Sequence, residues 1–153
     1  ELTDIDISAI AADSAELYEP VAEEAGQVMV CEIAPGLSAR GNRELVGQAI
    51  ANLIDNAIKY CGPGDSLRLT LSEGPDRHLM QVADTGPGLP DDLKDEAFER
   101  FVRADRDKDR GLKGHGLGLA LVRAIAARHG AKLVLPPVEK GFVLEIGWPK
   151  LTA

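Results

Sequence analysis

The stretch Asn52-Leu-Ile-Asp-Asn56-Ala-Ile-Lys59-Tyr60 decides how this chain is interpreted. Apolar residues at helical spacing predict a helix from about Asn42, its candidate N-cap, to Tyr60. Asparagine is a poor helix former, and an interior asparagine costs up to about 0.7 kcal/mol relative to alanine. Asn52 and Asn56 are four residues apart and therefore stand on one face. A helix that accepts this cost twice on one face is predicted to use both amides for binding.

The side chains of this helix divide into three sectors. Asn52, Asn56, Lys59 and Tyr60 form one, and Gln48, Glu44 and Asp55 occupy a solvent sector. The core sector spans about 100° to 240° from Asn52 and holds six apolar residues: Val46, Ile50, Leu53, Ile54, Ala57 and Ile58. A solvated boundary explains the first sector equally well on the helix alone. The chemistry favours a magnesium nucleotide, because Asn oxygens suit Mg²⁺, Lys pairs with phosphate and Tyr offers a flat face to a base.

Composition limits the remaining possibilities. The chain has 153 residues with 44% hydrophobic content, which fits a single domain over residues 1–153. A formal net charge of −8 argues against a nucleic-acid partner, and no apolar run is long enough to span a membrane. Cys31 and Cys61 lack metal-ligand spacing and are expected to be reduced thiols in a cytoplasmic protein, rather than a disulfide. Because the chain begins with Glu1, we expect it to be part of a longer protein.

The order of predicted elements indicates the fold class. A helix over 7–25, kinked or divided by Pro20, precedes a strand over 27–33 and the asparagine helix, and Ile7, Ile10, Ala11, Leu17 and Val21 lie near helical spacing along it. The later elements are strands at 66–72 and 78–84, a short helical piece near 91–97, a helix at 116–129 ended by Gly130, and strands at 131–135 and 141–148. Phe142, Leu144, Ile146 and Trp148 share one face of the last strand. Hairpin-linked strands imply a mixed, mainly antiparallel sheet. About three helices would cover one face of it, which gives a two-layer α/β (α+β) sandwich.

A glycine-rich turn, Asp84-Thr-Gly86-Pro-Gly88-Leu89, follows the second strand of the central hairpin. Met80 and Val82 share the face of Asp84, so its carboxylate is predicted to point toward the core. A buried carboxylate needs donors, and the amino group of adenine supplies one, whereas guanine presents an acceptor there. The alternative is a local turn capped by Asp84, and the motif alone is weak evidence.

The segment from Arg100 to Lys113 contains six basic residues and three acidic ones. A solvated loop is the usual fate of such a segment, and it is compatible with a lid whose arginines close on phosphate. The run Gly114-His-Gly116-Leu117-Gly118-Leu119 then opens into a helix, whose first amides would face an anion. The run does not fit a dinucleotide-binding fingerprint, because no strand precedes it at the required position. Three histidines without ligand spacing are predicted to be surface or cap residues: His78, His115 and His129.

Together these motifs resemble the ATP-binding catalytic domain of two-component sensor histidine kinases. That domain belongs to the GHKL superfamily, shared with gyrase, the MutL mismatch-repair protein and a heat-shock chaperone. The asparagine stretch resembles the N box and Asp84–Gly88 the G1 box, while Phe98–Arg103 resembles the F box and Gly114–Leu119 the G2 box. The resemblance covers about residues 1–149 and implies the Bergerat fold, an α/β sandwich.

The resemblance implies ATP and Mg²⁺ as cofactors. Asn56 would ligate Mg²⁺, while Asn52 and Lys59 would contact phosphates. Tyr60 would lie against adenine, and Asp84 would bind its amino group.

The catalytic groups implied by the resemblance are Arg103, Arg100 and Lys59, with the arginines meeting the γ-phosphate. The two glycine motifs would line the nucleotide through Gly86, Gly88, Leu89, Gly114, Gly116, Leu117, Gly118 and Leu119. The implied reaction is transfer of the γ-phosphoryl group to a histidine on a separate dimerisation domain, because none of the three histidines has the phosphoacceptor setting. The implied partners are that domain and, indirectly, a response regulator. The chain itself would be monomeric. The longer kinase that contains it would be a homodimer, which can be anchored in the bacterial inner membrane.

Two alternatives remain open. The related ATPases resemble this N box but carry Glu where this chain has Asn52, an amide with no useful basicity. A water-activating GHKL ATPase is therefore the weaker interpretation. The other alternative is a catalytically silent nucleotide-binding module, against which the intact motifs argue.

Overall fold

The computed structural model describes residues 2–85, 116–136 and 141–151. The first half of the chain contains β1 (Thr3–Asp6), α1 (Ile7–Glu24), β2 (Val28–Ile33), β3 (Ser38–Gly41) and α2 (Arg43–Tyr60). The described residues after α2 contain β4 (Ser66–Glu73), β5 (Arg77–Asp84), α3 (Gly116–Arg128), β6 (Lys132–Val134) and β7 (Phe142–Pro149). No helix within these ranges is both long and apolar enough to cross a membrane.

The main sheet has five strands in the order β2-β4-β5-β7-β6. β2 pairs with β4 in parallel, and the other three pairings are antiparallel. Along β5 and β7, buried residues alternate with partly exposed ones until Gly147 breaks the pattern. The predicted inner face of β7 is confirmed, since Leu144, Ile146 and Trp148 are buried and Phe142 packs against the core. The mixed, mainly antiparallel sheet predicted from the hairpins is therefore correct.

The three helices form the second layer, with α2 in the middle between α1 and α3 and packed against β5. The six residues of the predicted core sector of α2 are all buried, as expected. Both predicted caps are also found: the Asn42 Oδ1 accepts the Leu45 N–H at 3.0 Å, and Gly130 follows α3 with a φ of +65°. Each helix thus contributes buried aliphatic side chains to the core, such as Ile7 and Ile10 from α1 and Val122 and Ile125 from α3.

We name the two ends of the sandwich after buried residues. The Asp84 end is where β5 finishes, and the Trp148 end is where β7 finishes, opposite the start of β5. At the Asp84 end, β5 finishes opposite the starts of β4 and β7, through the pairs Leu67–Asp84 and Asp84–Phe142. The end of α2 lies there too, because the loop after it bonds to the start of β2, with the Val28 N–H on Asp65 O at 3.1 Å. α3 runs the opposite way to α2, since His129, just after α3, bonds to Asn42, just before α2. The first turn of α3 therefore faces the Asp84 end.

The first forty residues differ from the expectations in three places. Pro20 does not divide α1, which runs unbroken to Glu24 with Pro20 at an exposed position. Leu17 and Val21, predicted for the apolar face, have 68% and 42% of their surface exposed. The small antiparallel sheet of β1 and β3 was not predicted from the residue pattern, because strands of four residues give too short an alternation to detect.

Gly141 provides a test of the close packing at the Asp84 end. Its φ is +83°, and a Cβ at this position would overlap the carbonyl oxygen of Asp84. We expect Gly141→Ala to lower the free energy of unfolding by about 3 kcal/mol, from backbone strain and steric overlap together. Gly36→Ala is the matched control, because Gly36 has a φ of +73° but nothing within 4 Å of the added methyl. Urea unfolding that gives equal losses for both variants would contradict the overlap.

Candidate functional site

The Asp84 end gathers polar groups from three separate elements. β5 places Asp84 at the edge of the sheet, where its neighbour Thr85 anchors the strand end to Ser66. The Thr85 N–H donates to Ser66 O at 3.0 Å, and the Thr85 Oγ1 accepts the Ser66 N–H at 2.9 Å. The C-terminal half of α2 and the N-terminus of α3 lie at the same end. The topology therefore places Asp84, the C-terminal half of α2 and the first turn of α3 at one end of the sandwich.

Asn56 is the most informative residue at this end. It is 8% exposed, and its Nδ2 is one of four buried side-chain polar atoms without a hydrogen-bond partner in the described part of the chain. A buried donor left unpaired costs about 1–3 kcal/mol. Asn52, one turn earlier on the same face, is only half buried. The amide of Asn56 thus has unused capacity for hydrogen bonding, which fits a group that contacts a ligand.

Lys59 is placed at the edge of the same sector. Its side chain is 61% exposed, and its Nζ lies 3.1 Å from the Asp55 Oδ2 in an i, i+4 ion pair. Exposed pairs of this kind contribute little free energy. The Lys59 ammonium can therefore leave Asp55 for a phosphate at small cost. Tyr60 is the last residue of α2, and its side chain is outside the part that the structure describes.

Asp84 has the predicted orientation. It is 8% exposed and shares the inner face of β5 with Met80 and Val82, both buried. A buried carboxylate at a strand end, next to a helix layer, is an acceptor suited to a donor on a flat ligand. The prediction that the Asp84 carboxylate points inward is confirmed.

Several predicted site residues lie outside the described residues, so their placement stays a prediction. These are Gly86, Gly88, Leu89, Arg100, Arg103 and Gly114, together with the helical piece near 91–97 and the charged segment at 99–115. Gly116, Leu117, Gly118 and Leu119 form the first turn of α3, and Leu119 packs against the core. The first amides of a helix have no partners within that helix, and the helix dipole favours an anion near them. This turn is therefore an appropriate place for phosphate.

The described residues offer few protein ligands for a metal ion. No group of three or more His, Cys, Asp or Glu side chains that could hold a metal occurs within the described ranges. Magnesium is commonly held by one or two protein oxygens, with water and phosphate supplying the rest. A single Asn oxygen at Asn56 agrees with that pattern. Cys31 and Cys61 are both reduced thiols, as predicted.

Two groups away from the Asp84 end have shifted pKa values. A hydrogen bond from Lys150, together with its positive charge, lowers the pKa of Glu73 at the end of β4. Burial, and to a smaller extent the charge of Glu19, raises the pKa of the Cys31 thiol on β2. Neither group belongs to the Asp84 end, so these shifts do not bear on the candidate site.

The expectation for the histidines needs correction. His78 and His129 are 4% and 7% exposed, so neither is a surface residue, although His129 does lie at the C-terminal cap of α3. His115 is outside the described residues. The sequence held one signal for His129, which follows Val122 and Ile125 at helical spacing and so continues their buried face. Both buried histidines lie at the Trp148 end, where no function was predicted.

Comparison with known proteins agrees with this arrangement. Residues 41–152 match the family described as histidine kinase-, DNA gyrase B- and HSP90-like ATPases. The sensor protein SrrB of Staphylococcus aureus is 36% identical over 104 residues, which are 67% of this chain and 18% of SrrB. The chain thus spans about a fifth of the length of the curated relatives that it matches.

Solved structures give the same result for the fold. A nucleotide-free catalytic domain of the histidine kinase ThkA superposes with a TM-score of 0.82 at 26% identity, covering 98% of each chain. The mycobacterial sensor histidine kinase MprB gives a TM-score of 0.78 at 26% identity, again over 98% of each chain. Full-length ShkA in complex with AMPPNP gives 0.77 at 30% identity, over all of this chain and 32% of ShkA.

Proposed function

The chain belongs to the family of histidine kinase-, DNA gyrase B- and HSP90-like ATPases, and from this premise we propose that it is the phosphoryl-donating unit of a sensor histidine kinase. It binds Mg-ATP and donates the γ-phosphoryl group to a histidine on a separate dimerisation domain. The observation that carries this proposal is the buried, unpartnered amide of Asn56, at the same end as Asp84 and the first turn of α3. The AMPPNP complex of ShkA lends support, because that ligand is an analogue of ATP.

Each group at the Asp84 end has a distinct role in the proposal. Asn56 would hold Mg²⁺ through its Oδ1, with its Nδ2 free to donate to a phosphate oxygen. Lys59 and Asn52 would contact phosphates, and Asp84 would accept a hydrogen bond from the adenine amino group. Tyr60 would lie against the base. The predicted contacts of Arg103 and Arg100 with the γ-phosphate, and of the two glycine motifs with the nucleotide, complete the proposal.

The chemistry demands little from the protein beyond position and charge. In phosphoryl transfer, a bond forms between a histidine nitrogen and the γ-phosphorus. The bond from that phosphorus to the oxygen that bridges the β- and γ-phosphates breaks, and ADP leaves. A neutral imidazole is already a nucleophile, so no strong base is required. Bound Mg²⁺ neutralises charge on the phosphates. The residues of this chain orient the nucleotide, through Asp84 at the base and through Asn52, Asn56 and Lys59 at the phosphates.

A water-activating ATPase is the second candidate, and α2 argues against it. A general base would be expected one turn before Asn56, but that position is Asn52. The nearest carboxylate on α2 is that of Asp55, which is paired with Lys59. Without a base at that position of α2, attack by water should be slow. A silent nucleotide-binding module is the third candidate.

One experiment separates the three candidates. The domain is incubated with Mg-ATP labelled at the γ-phosphate, with and without the histidine hairpin of its parent kinase. Acid-labile label on the hairpin supports the kinase, and steady phosphate release without the hairpin supports an ATPase. Nucleotide binding with neither product supports the silent module. The absence of any nucleotide binding would contradict all three.

The remaining partners follow from the proposed kinase. Residues 1–153 would act as a single ATP-binding unit in a parent that dimerises through its histidine domain. A response regulator would receive the phosphoryl group from that histidine and would not need to contact Mg-ATP. The parent would work with this unit in the cytoplasm.

A further inference from the structure

His129 forms hydrogen bonds that connect α3 to α2. Its Nδ1–H donates to Ile125 O at 2.8 Å, one turn back along α3. Its Nε2 accepts the backbone N–H of Asn42, the N-cap residue of α2, at 3.0 Å. One ring nitrogen faces a carbonyl and the other faces an N–H, so the Nδ1 is the donor and the Nε2 is the acceptor. One buried side chain therefore joins the end of α3 to the start of α2.

The residues around His129 pack against its ring and leave space for it. Trp148 meets it edge to face, with 5.7 Å between ring centroids and an interplanar angle of 87°. A Cβ on Gly41 would lie 2.8 Å from the Cδ2 of His129 and 2.9 Å from the Cδ1 of Ile5. Glycine at this position therefore leaves room for the imidazole against the backbone before α2. His129 is held in one orientation by its two hydrogen bonds and by the indole.

The position of this link matters because both helices lead to the candidate site. α2 begins just after its N-cap Asn42 and carries Asn52 and Asn56 about 15 Å and about 21 Å from that cap, toward the Asp84 end, at 1.5 Å per residue. α3 starts at the Asp84 end and ends at Arg128, just before His129. A change in the spacing or angle of the helices at the Trp148 end is therefore carried to their other ends. Arg77 also holds the end of α3, but it bonds to Gly130 O and Gly147 O, both at 2.9 Å, and so ties α3 to the sheet.

We propose that His129 is a positioning residue, which sets the placement of α2 relative to α3 and thereby the affinity of the site for Mg-ATP. The inference depends on the proposed function for the identity of the ligand. The hydrogen bond to Asn42 carries this role, and the bond to Ile125 serves only to orient the ring. His129 does not touch the nucleotide, since it lies at the opposite end of the sandwich from Asp84.

Two substitutions separate the two hydrogen bonds. In His129→Gln the Oε1 can reach the place of Nε2 and accept the Asn42 N–H, whereas the shorter side chain in His129→Asn can bond only to Ile125 O. We expect His129→Gln to bind Mg-ATP within about twofold of the wild-type domain, and His129→Asn to bind it about tenfold more weakly. Calorimetric titration of the purified domain, well below the melting temperature of each variant, measures this difference.

His78→Asn is the matched control. His78 is also buried, but its Nε2 bonds to Ser38 O, away from the α2–α3 contact. A comparable loss of thermal stability without a change in affinity is expected for this variant. The inference is overturned if His129→Asn binds like the wild type, if Gln and Asn weaken binding equally, or if His78→Asn weakens it as much.

Hydrogen exchange at the Asn42 amide gives a second readout that does not involve nucleotide. The amide should be protected in the wild type and in His129→Gln, and it should exchange at least about tenfold faster in His129→Asn. Equal exchange in all three proteins would overturn the link itself. If the wild-type domain does not bind Mg-ATP at all, the proposed function fails, and the exchange pattern still decides whether His129 links the helices.

Discussion

Asn56→Ala is expected to raise the stability of the free domain while it removes most of the affinity for Mg-ATP. The substitution removes a buried donor that has no partner, and it replaces a poor helix former with the best one. The smaller side chain also loses some packing. We expect a net rise of about 1 kcal/mol in the free energy of unfolding, which raises the melting temperature by roughly 3 °C. The affinity for Mg-ATP should fall by about 100-fold, as expected when a group that supports a metal site is lost.

The Mg²⁺ dependence of binding shows whether Asn56 acts through the cation. In the wild-type domain, removal of Mg²⁺ with EDTA should weaken ATP binding strongly. In Asn56→Ala the same treatment should have little further effect, because the ligand to the cation has already been lost. Gln48→Ala, on the exposed side of α2, is the control and should leave both measurements unchanged. A loss of stability in Asn56→Ala without loss of affinity would mean that this amide serves the fold rather than the nucleotide.

The sequence predicted the main sheet and the helices because their patterns are long. The 18 residues of α2 make about five helical turns along which apolar residues recur, and Leu67, Leu69 and Leu71 alternate with polar residues along β4. β1 and β3 were missed because four residues carry too little pattern, and their pairing depends on contacts between distant parts of the chain. The error at Leu17 and Val21 is related, because helical spacing shows which residues share a face but not how far a neighbouring layer extends over it.

Some residues of the candidate site could be predicted from their residue type, whereas His129 could be identified only from the fold. Asn56 and Asp84 stood out because each is a residue type that a helix interior or an inward strand face normally avoids. His129 did not stand out, because its role arises from a bond across 87 residues of sequence to a backbone N–H. A backbone partner leaves no motif, so no reading of spacing can find it. Residues that touch a ligand are thus easier to predict than residues that position them.

Asp84→Asn is expected to weaken ATP binding and to narrow the preference for ATP over GTP. A hydrogen bond to a charged acceptor contributes about 1.5–3 kcal/mol, so the affinity for ATP should fall by roughly 10- to 100-fold. The amide that replaces the carboxylate can turn its nitrogen toward the ligand and donate to the carbonyl of guanine. GTP should therefore bind the variant no worse than it binds the wild type, and the ratio of the two dissociation constants should move toward one.

Competition of ATP and GTP against a fluorescent nucleotide measures this ratio directly. Asp76→Asn makes the same chemical change at an exposed turn between β4 and β5, and it should leave the ratio unaltered. An Asp84→Asn variant that loses affinity for both nucleotides equally would show that the residue supports the pocket without contacting the base. The ratio separates the two roles because a structural defect at the Asp84 end weakens the binding of every ligand, whereas a lost contact to the adenine amino group penalises ATP alone.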